Sequence, residues 1–391
     1  MRVLLIAATT GYQARTFSDA ARALGYDLVL ATDRCHVMDD PWGDHAIAVR
    51  FDAPSVGIES LAASGPFDGI IAVGDQPAYV AALAAERLAL KFSPPSAVLE
   101  AKNKFLARQK FRQAGLLTPG HELFQQPTGA LHYPCVLKPL GLSGSRGVIR
   151  ANDANEFRAA FARVKTIAQE QAVLVEDFIP GHEYALEGIV SGGRLQVLAL
   201  FDKPDVLDGP FFEETIYVTV PEQPAITETT QRAIAALGLT QGPVHAEMRV
   251  NERGVWMLEV AARPIGGLCS RVLQFDGGRP LEELILRHAV GEDVSGARLE
   301  PGVHAVMMIP IPRAGIYTAV SGVDDARAVH GIEDVVVTAK QGQAMLPLPE
   351  GASYLGFIFA RAETPERAVQ SLRDAHARLT FDFAEILPVV K

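Results

Sequence analysis

Hydrophobic and polar positions change rhythm several times along the chain, and each change predicts an element. Residues 2–8 are a continuous apolar run, as expected of a strand buried on both faces. A helical pattern follows through Phe17, Ala20, Ala21 and Leu24, and Gly25 closes it. Residues 27–31, 46–51 and 69–73 read as three further strands. Strands that alternate with helices predict an α/β unit with a parallel sheet and right-handed crossovers. Ligands in such sheets sit beyond the carboxyl ends of the strands, which nominates the loops at 9–11 and 74–76. Simple turn chemistry accounts for those loops equally well. There is no G-x-G-x-x-G, so a dinucleotide site has no support.

Ser93, Pro94 and Pro95 mark the first boundary. A helix is expected over 96–114, closed by Gly115 and carrying Lys102, Lys104, Arg108, Lys110 and Arg112. On its own, such a basic face is usually just solvated. The stretch 133–149 says more. A strand runs into Lys138, and a loop rich in Gly141, Ser143, Gly144, Ser145 and Gly147 leads to the next strand. Glycine and serine let backbone amides approach phosphate oxygens, and a lysine adds a fixed charge. No Gly-Lys-Ser/Thr ends the loop and no helix follows, so it is not a Walker A loop. A hairpin over a nucleotide and a mobile surface hairpin fit this stretch equally. Beyond it, helices are expected over 155–167, 227–239 and 280–290, with strands over 172–178, 184–190 and 195–201. Residues 303–391 read as β-rich with one late helix over 365–379.

Residues 244–263 carry the strongest local pattern. Two strands, 244–251 and 255–261, flank Glu252, Arg253 and Gly254, and Gly254 suits the left-handed last position of a three-residue hairpin loop. That register sets 249 opposite 257, 247 opposite 259 and 245 opposite 261. One face then carries His245, Glu247, Arg249 and Glu259, with Arg263 beyond. The other carries Ala246, Met248, Val250, Trp256, Leu258 and Val260 and reads as core. Opposed Cβ atoms lie about 4.5–5.5 Å apart, so the two carboxylates repel unless a cation sits between them. A divalent cation with oxygen ligands answers that need, and Mg²⁺ takes one or two carboxylates plus substrate phosphates. A solvated hairpin face with Arg249 and Arg263 as surface partners is the competing reading.

Bulk composition narrows the class. The chain has 391 residues, enough for two or three domains, with 48% hydrophobic and 21% charged residues. A net charge of −10 argues against non-specific nucleic-acid binding and against an anionic membrane surface. Cys35, Cys135 and Cys269 form neither a disulfide framework nor a C-x-x-C zinc site, which points to a reducing, cytoplasmic setting. The apolar start breaks too early for a signal peptide, and no run approaches the length of a membrane span.

The order of these elements resembles the ATP-grasp superfamily of ATP-dependent carboxylate–amine ligases. The resemblance covers roughly 98–300 and rests on the lysine-bearing helix, the strand-lysine with its Gly/Ser loop, the E-D-F-x-x-G-x-E segment at 176–183, and the two-glutamate hairpin ending E-x-x-x-R. It implies an ATP-grasp fold with an N-terminal Rossmann-like parallel-sheet domain (1–97), an ATP-grasp domain (98–300) with a Gly-loop lid (130–185), and a β-rich C-terminal domain (301–391). Position by position it implies that Lys104 and Lys138 contact the ATP phosphates. The loop carrying Ser143, Gly144, Ser145 and Gly147 folds over them. Glu176, Asp177 and Phe178 form the hinge that holds adenine, and Glu183 binds the ribose. Glu247 and Glu259 hold Mg²⁺, with Mn²⁺ as a substitute, and Arg263 stabilises the transferred phosphoryl group. One departure is Ala261, where the family often has a metal-ligating asparagine.

Within the superfamily, G-P-V-H-A-E at 242–247 and R-P-I-G-G at 263–267 are similar to the L-amino acid ligases, which make dipeptides. That likeness places His245 near the substrate, where a hydrogen-bonded structural histidine is the competing reading. It also nominates Gly266 and Gly267 for the substrate, and Arg271 for a substrate carboxylate or else an ion pair of the tail. The implied partners are a small-molecule carboxylate and an amine, joined through an acyl phosphate, with neither nucleic acid nor membrane. A homodimer is the base-rate assembly. A ligase for another acid and amine, or a nucleotide-binding protein without turnover, are the alternatives. Cys269 reads as a buried apolar thiol.

Overall fold

The computed structural model describes residues 1–8, 12–33, 46–128, 132–169, 172–204 and 216–386. The nominated loop at 9–11 and Cys35 lie outside them. The N-terminal part contains β1 (Arg2–Ala7), α1 (Ala14–Leu24), β2 (Asp27–Thr32), β3 (Ile47–Ala48), α2 (Ile58–Ala63), β4 (Gly69–Val73) and α3 (Asp75–Leu88). Its strands are parallel in the order β3-β2-β1-β4. Central β1 explains its own apolar run: Leu4 and Ile6 face one core cluster, while Val3, Leu5 and Ala7 face another. At the carboxyl end of β4, Gly74 (φ 101°) makes a turn into α3 that a side chain would strain, and this sets Asp75 at the first helical position.

The expected single helix over 96–114 is two, α4 (Pro95–Lys102) and α5 (Lys104–Gln113). Asn103 is extended (φ −93°, ψ 108°), and its side chain accepts from Leu106 N, capping the second helix. The break is what brings Lys104 inward, where its Nζ donates to Leu142 O at 2.6 Å.

A four-stranded sheet, ordered β5-β8-β6-β7, comes next in sequence. It consists of β5 (His121–Phe124), β6 (Cys135–Lys138), β7 (Ile149–Ala151) and β8 (Val173–Asp177), with α6 (Ala154–Ala168) between the last two. The Gly/Ser loop joins β6 to β7, which pair antiparallel.

An eight-stranded sheet spans the rest. It takes β9 (His182–Ser191), β10 (Arg194–Asp202), β11 (Ile216–Val220), β12 (Gln241–Asn251) and β13 (Gly254–Ala261). Helix α7 (Pro224–Leu237) precedes β12, and β14 (Gln274–Phe275), β15 (Arg279–Pro280) and α8 (Leu281–Ala289) follow β13. The C-terminal part contributes β16 (Val303–Ile309), β17 (Gly315–Ser321), α9 (Val323–Arg327), β18 (Ile332–Val337), β19 (Ala344–Met345), β20 (Gly356–Ala362), α10 (Pro365–His376) and β21 (Thr380–Ala384). The large sheet runs β13-β12-β9-β10-β11-β16-β20-β18, so strands from before and after residue 300 share one ladder.

The hairpin register corrects part of the sequence expectation. Glu247 pairs with Glu259 and His245 with Ala261, but Arg249 pairs with Trp256, not 257. The connection is Glu252 and Arg253 alone, because Gly254 (φ 126°) already belongs to β13. A bulge between the Glu247 and Met248 pairs absorbs the extra residue, Leu258. Past the bulge the faces exchange. Met257 is fully buried against Met248 in the core cluster, Leu258 turns into the cleft, and Trp256 leaves the expected core face.

Candidate active site

A cleft of about 460 Å³ is lined from the carboxyl end of β4, α5, the Gly/Ser loop, the end of β8, the β12–β13 hairpin and residues 347–354. Every site residue expected from sequence lines it except Gly147 and Arg271. The Gly147 amide instead donates to Pro349 O at 2.9 Å. Arg271 sits on a 3-10 turn whose Cys269 faces the cleft. Two residues on, its side chain points to the C-terminal strands, 3.1 Å from Asp334 and 4.5 Å over the Phe359 ring. The structure places the Arg271 side chain in a tail ion pair, outside the cleft lining.

At one end, Glu176 lies between Arg108 and Lys138, each 2.7 Å away. Burial pushes its pKa up, but the two cations outweigh that and hold the carboxyl at about 2. The Arg108 contact is an ion pair off hydrogen-bond geometry, which leaves Arg108 Nε and Nη1 without a hydrogen-bond acceptor. Val136, Ile179 and Leu258 give this end apolar walls. Such walls beside a lysine-rich floor fit a nucleotide, with its flat base and charged tail.

In the middle, Lys203 reaches Glu183 at 2.5 Å and Glu247 at 3.3 Å. Glu183 also accepts from Arg249 Nε at 3.0 Å, and Arg249 donates on to Ile179 O at 2.8 Å. Both Glu183 oxygens therefore have cationic partners, and a ribose would share them. Lys203, just past the end of strand β10, carried no sequence signal because nothing around it marks a site. Arg249 is buried, not the surface partner that a solvated face would need.

Glu247 and Glu259 face each other as expected. Glu247 Oε1 is 3.3 Å from Lys203 and 3.4 Å from His245 Nε2, and Glu259 Oε2 is 3.4 Å from Lys104. Burial raises the Glu247 pKa, and Lys203 and His245 together hold it well below the usual range. The second oxygen of each carboxylate has no partner among the described residues, so an oxygen-only pair stands open to the cleft. That donor set suits a hard cation such as Mg²⁺ that completes its shell with phosphates and water. Among the described residues no cluster of three or more His, Cys, Asp or Glu side chains forms a metal cage. Ala261, buried opposite His245, offers no ligand.

At the far end, Arg263 Nε pairs with Asp75 at 2.9 Å, and Nη1 donates to Pro264 O at 3.0 Å. Burial raises the Asp75 pKa, but Arg263 and Lys104 outweigh it and keep the carboxyl ionised. His245 Nδ1 bonds Glu187 Oε1, and Glu187 Oε2 accepts from Ile265 N at 3.0 Å. Burial lowers the His245 pKa, but Glu187 and Glu247 raise it further, to about 9. His245 is thus an imidazolium that lines the cleft and is also braced by a buried carboxylate. Asp75 follows from the rule for strand ends, whereas Glu187 is hidden within an apolar strand.

A cleft with opposed carboxylates, inward lysines and a buried arginine, on this sheet topology, has the ATP-grasp fold. Residues 131–272 match the ATP-grasp domain family, and residues 307–384 match the L-amino acid ligase C-terminal domain 2. Over these two segments the chain is similar to ATP-grasp ligases. The solved L-amino acid ligase from Bacillus licheniformis shares the fold over 98% of this chain and 99% of its own, with a TM-score of 0.82 and 24% identity. An uncharacterised protein, y4rH, of Sinorhizobium fredii is 25% identical over 71% of this chain and 62% of its own length. Dapdiamide A synthase of Enterobacter agglomerans is 28% identical over 42% of this chain and 43% of its own. The chain thus spans about half the length of the curated relatives it matches. Among the described residues no helix is long and apolar enough to cross a membrane.

Proposed function

We propose that this chain is an ATP-dependent carboxylate–amine ligase that forms an amide bond through an acyl phosphate, with an amino acid as substrate and ADP and phosphate as products. The observation that carries the proposal is the Glu247–Glu259 pair, set in one cleft with Lys104, Lys138 and Arg263. The match of 307–384 to an L-amino acid ligase domain, and the likeness to dapdiamide A synthase, favour an amino acid over other acids.

In this reading, Lys104 and Lys138 hold the phosphates, and Glu176 keeps Lys138 aimed. Glu247 and Glu259 would hold Mg²⁺, which would supply charge neutralisation for the phosphates. A substrate carboxylate attacks the γ-phosphorus, ADP leaves, and Arg263 offsets charge on the transferred oxygens. The amine then attacks the acyl carbon and expels phosphate. His245 and Arg263 are the cations at the substrate end, suited to a carboxylate. The lid excludes water, which would otherwise hydrolyse the acyl phosphate.

The test is nucleotide analysis by chromatography with Mg²⁺, ATP and a panel of single and paired amino acids, with amide products read by mass spectrometry. ADP and phosphate formed only with particular amino acids, and lost in Glu259→Ala, support the proposal. AMP and pyrophosphate would contradict it.

A further inference from the structure

Charge in the cleft is paired almost throughout. Lys104 has Glu259, Lys138 has Glu176, Arg263 has Asp75, and Lys203 and Arg249 share Glu183. Arg146 differs. It lines the cleft from the β6–β7 loop, its guanidinium has no ion pair or hydrogen bond among the described residues, and its Nε is buried without an acceptor. A buried guanidinium N–H without an acceptor is costly to the protein alone, and an anionic ligand entering the cleft beside Arg146 would satisfy both the N–H and its unpaired charge.

The loop's backbone shows why a side chain is needed. The Arg146 amide donates to Ser143 O at 3.4 Å, the Gly147 amide to Pro349 O at 2.9 Å, and the Val148 amide to Ser145 O at 3.1 Å. Half of the backbone cradle is therefore spent within the protein. The Gly147 bond also comes from outside the lid. The same strap, residues 347–351, carries Glu350, which takes Arg163 Nε and Nη2 of α6 at 2.5 and 2.9 Å. Pro347, Leu348 and Gly351 meanwhile line the cleft.

We infer that Arg146 is the lid's ligand for the terminal phosphates of the nucleotide, and that the strap at 347–351 holds the lid where Arg146 reaches them. The inference rests on the ATP reading of the cleft. A guanidinium presents its N–H groups in a fork that matches phosphate oxygens, and a cation without a counter-charge has none to give up on binding.

The test is calorimetric binding of Mg-ATP and of AMP to the full chain, without acid or amine, so that turnover plays no part. Arg146→Ala weakens ATP binding about 10- to 100-fold, the scale of one charge-assisted hydrogen-bond pair, and changes AMP binding less than about 2-fold. Arg146→Lys falls between. Equal loss for ATP and AMP marks a structural role and overturns the inference, as does unchanged ATP affinity. A wild-type chain that binds no ATP overturns the reading of the cleft as well, whereas wild-type binding that survives Arg146→Ala overturns only this step. For the strap, Glu350→Ala weakens ATP binding about 2- to 5-fold, as suits a half-exposed pair, and the exchange Arg163→Glu with Glu350→Arg restores it. Unchanged binding in Glu350→Ala overturns the strap's part.

Discussion

The hairpin face and the lid both present cations to the same cleft, yet they hold them differently. On β12 and β13 and the elements beside them, each cation is held by a buried or half-buried carboxylate: Lys104 by Glu259, Lys203 by Glu183 and Glu247, Arg263 by Asp75. Glu183, Glu247 and Glu259 sit on a continuous eight-stranded ladder, and the other members lie on elements packed beside it, so the geometry is set before any ligand arrives. In the lid, Arg146 has no such partner among the described residues, and its loop is held through backbone groups, by Lys104 at Leu140 and Leu142 and by Pro349 at Gly147. Under the proposed function, the sheet is preorganised for charge that develops during reaction, and the lid for charge that a nucleotide would bring with it.

That contrast can be broken at several points. The largest effect is expected at Arg263, the buried cation beside the reacting end: Arg263→Ala lowers ligase turnover about 10²- to 10³-fold, read by steady-state ADP release. Next comes Glu176→Gln, which leaves two buried cations sharing a neutral group. It costs about 3–5 kcal/mol in denaturant unfolding. The carboxyl's folded pKa of about 2 lies below its ordinary 4.5, so its stabilisation is present above pH 4.5 and lost as pH falls through 2. Acid unfolding therefore shifts to higher pH without it. His245 runs the other way. Its pKa of about 9 lies above the ordinary 6.5, so its stabilisation is full below pH 6.5 and lost as pH rises through 9. Wild type should lose on the order of 3 kcal/mol across that window, and His245→Gln should show a flatter profile. The smallest effect is expected at Arg271, outside the cleft. Arg271→Ala changes amino-acid KM less than about 2-fold and stability by less than about 1 kcal/mol, as for any half-exposed ion pair. A large KM effect there would return Arg271 to the substrate site.

Much of this arrangement is legible in the chain. The parallel N-terminal sheet follows from the apolar run of β1, and the opposed glutamates follow from strand periodicity around a turn with glycine. What escaped has physical reasons. A bulge adds one residue without disturbing the alternation of residue types, so Met257 and Leu258 exchanged faces unseen. Asn103 breaks a helix that the apolar pattern alone continues. Glu187 and Lys203 acquire their meaning only from neighbours on other strands. Arg146 stood among expected loop residues, but an unpaired charge is visible only once every other charge has been paired.

The central claim is that phosphoryl transfer to a carboxylate precedes amide formation in the Glu247–Glu259 cleft. The most direct measurement supplies an accepted amino acid with both carboxyl oxygens labelled as ¹⁸O, together with Mg-ATP and the amine, and reads the products by ³¹P NMR isotope shift and mass spectrometry. The account predicts one ¹⁸O atom in each released phosphate, none in ADP, and the other retained in the amide. Label in AMP, or phosphate without label, would contradict it.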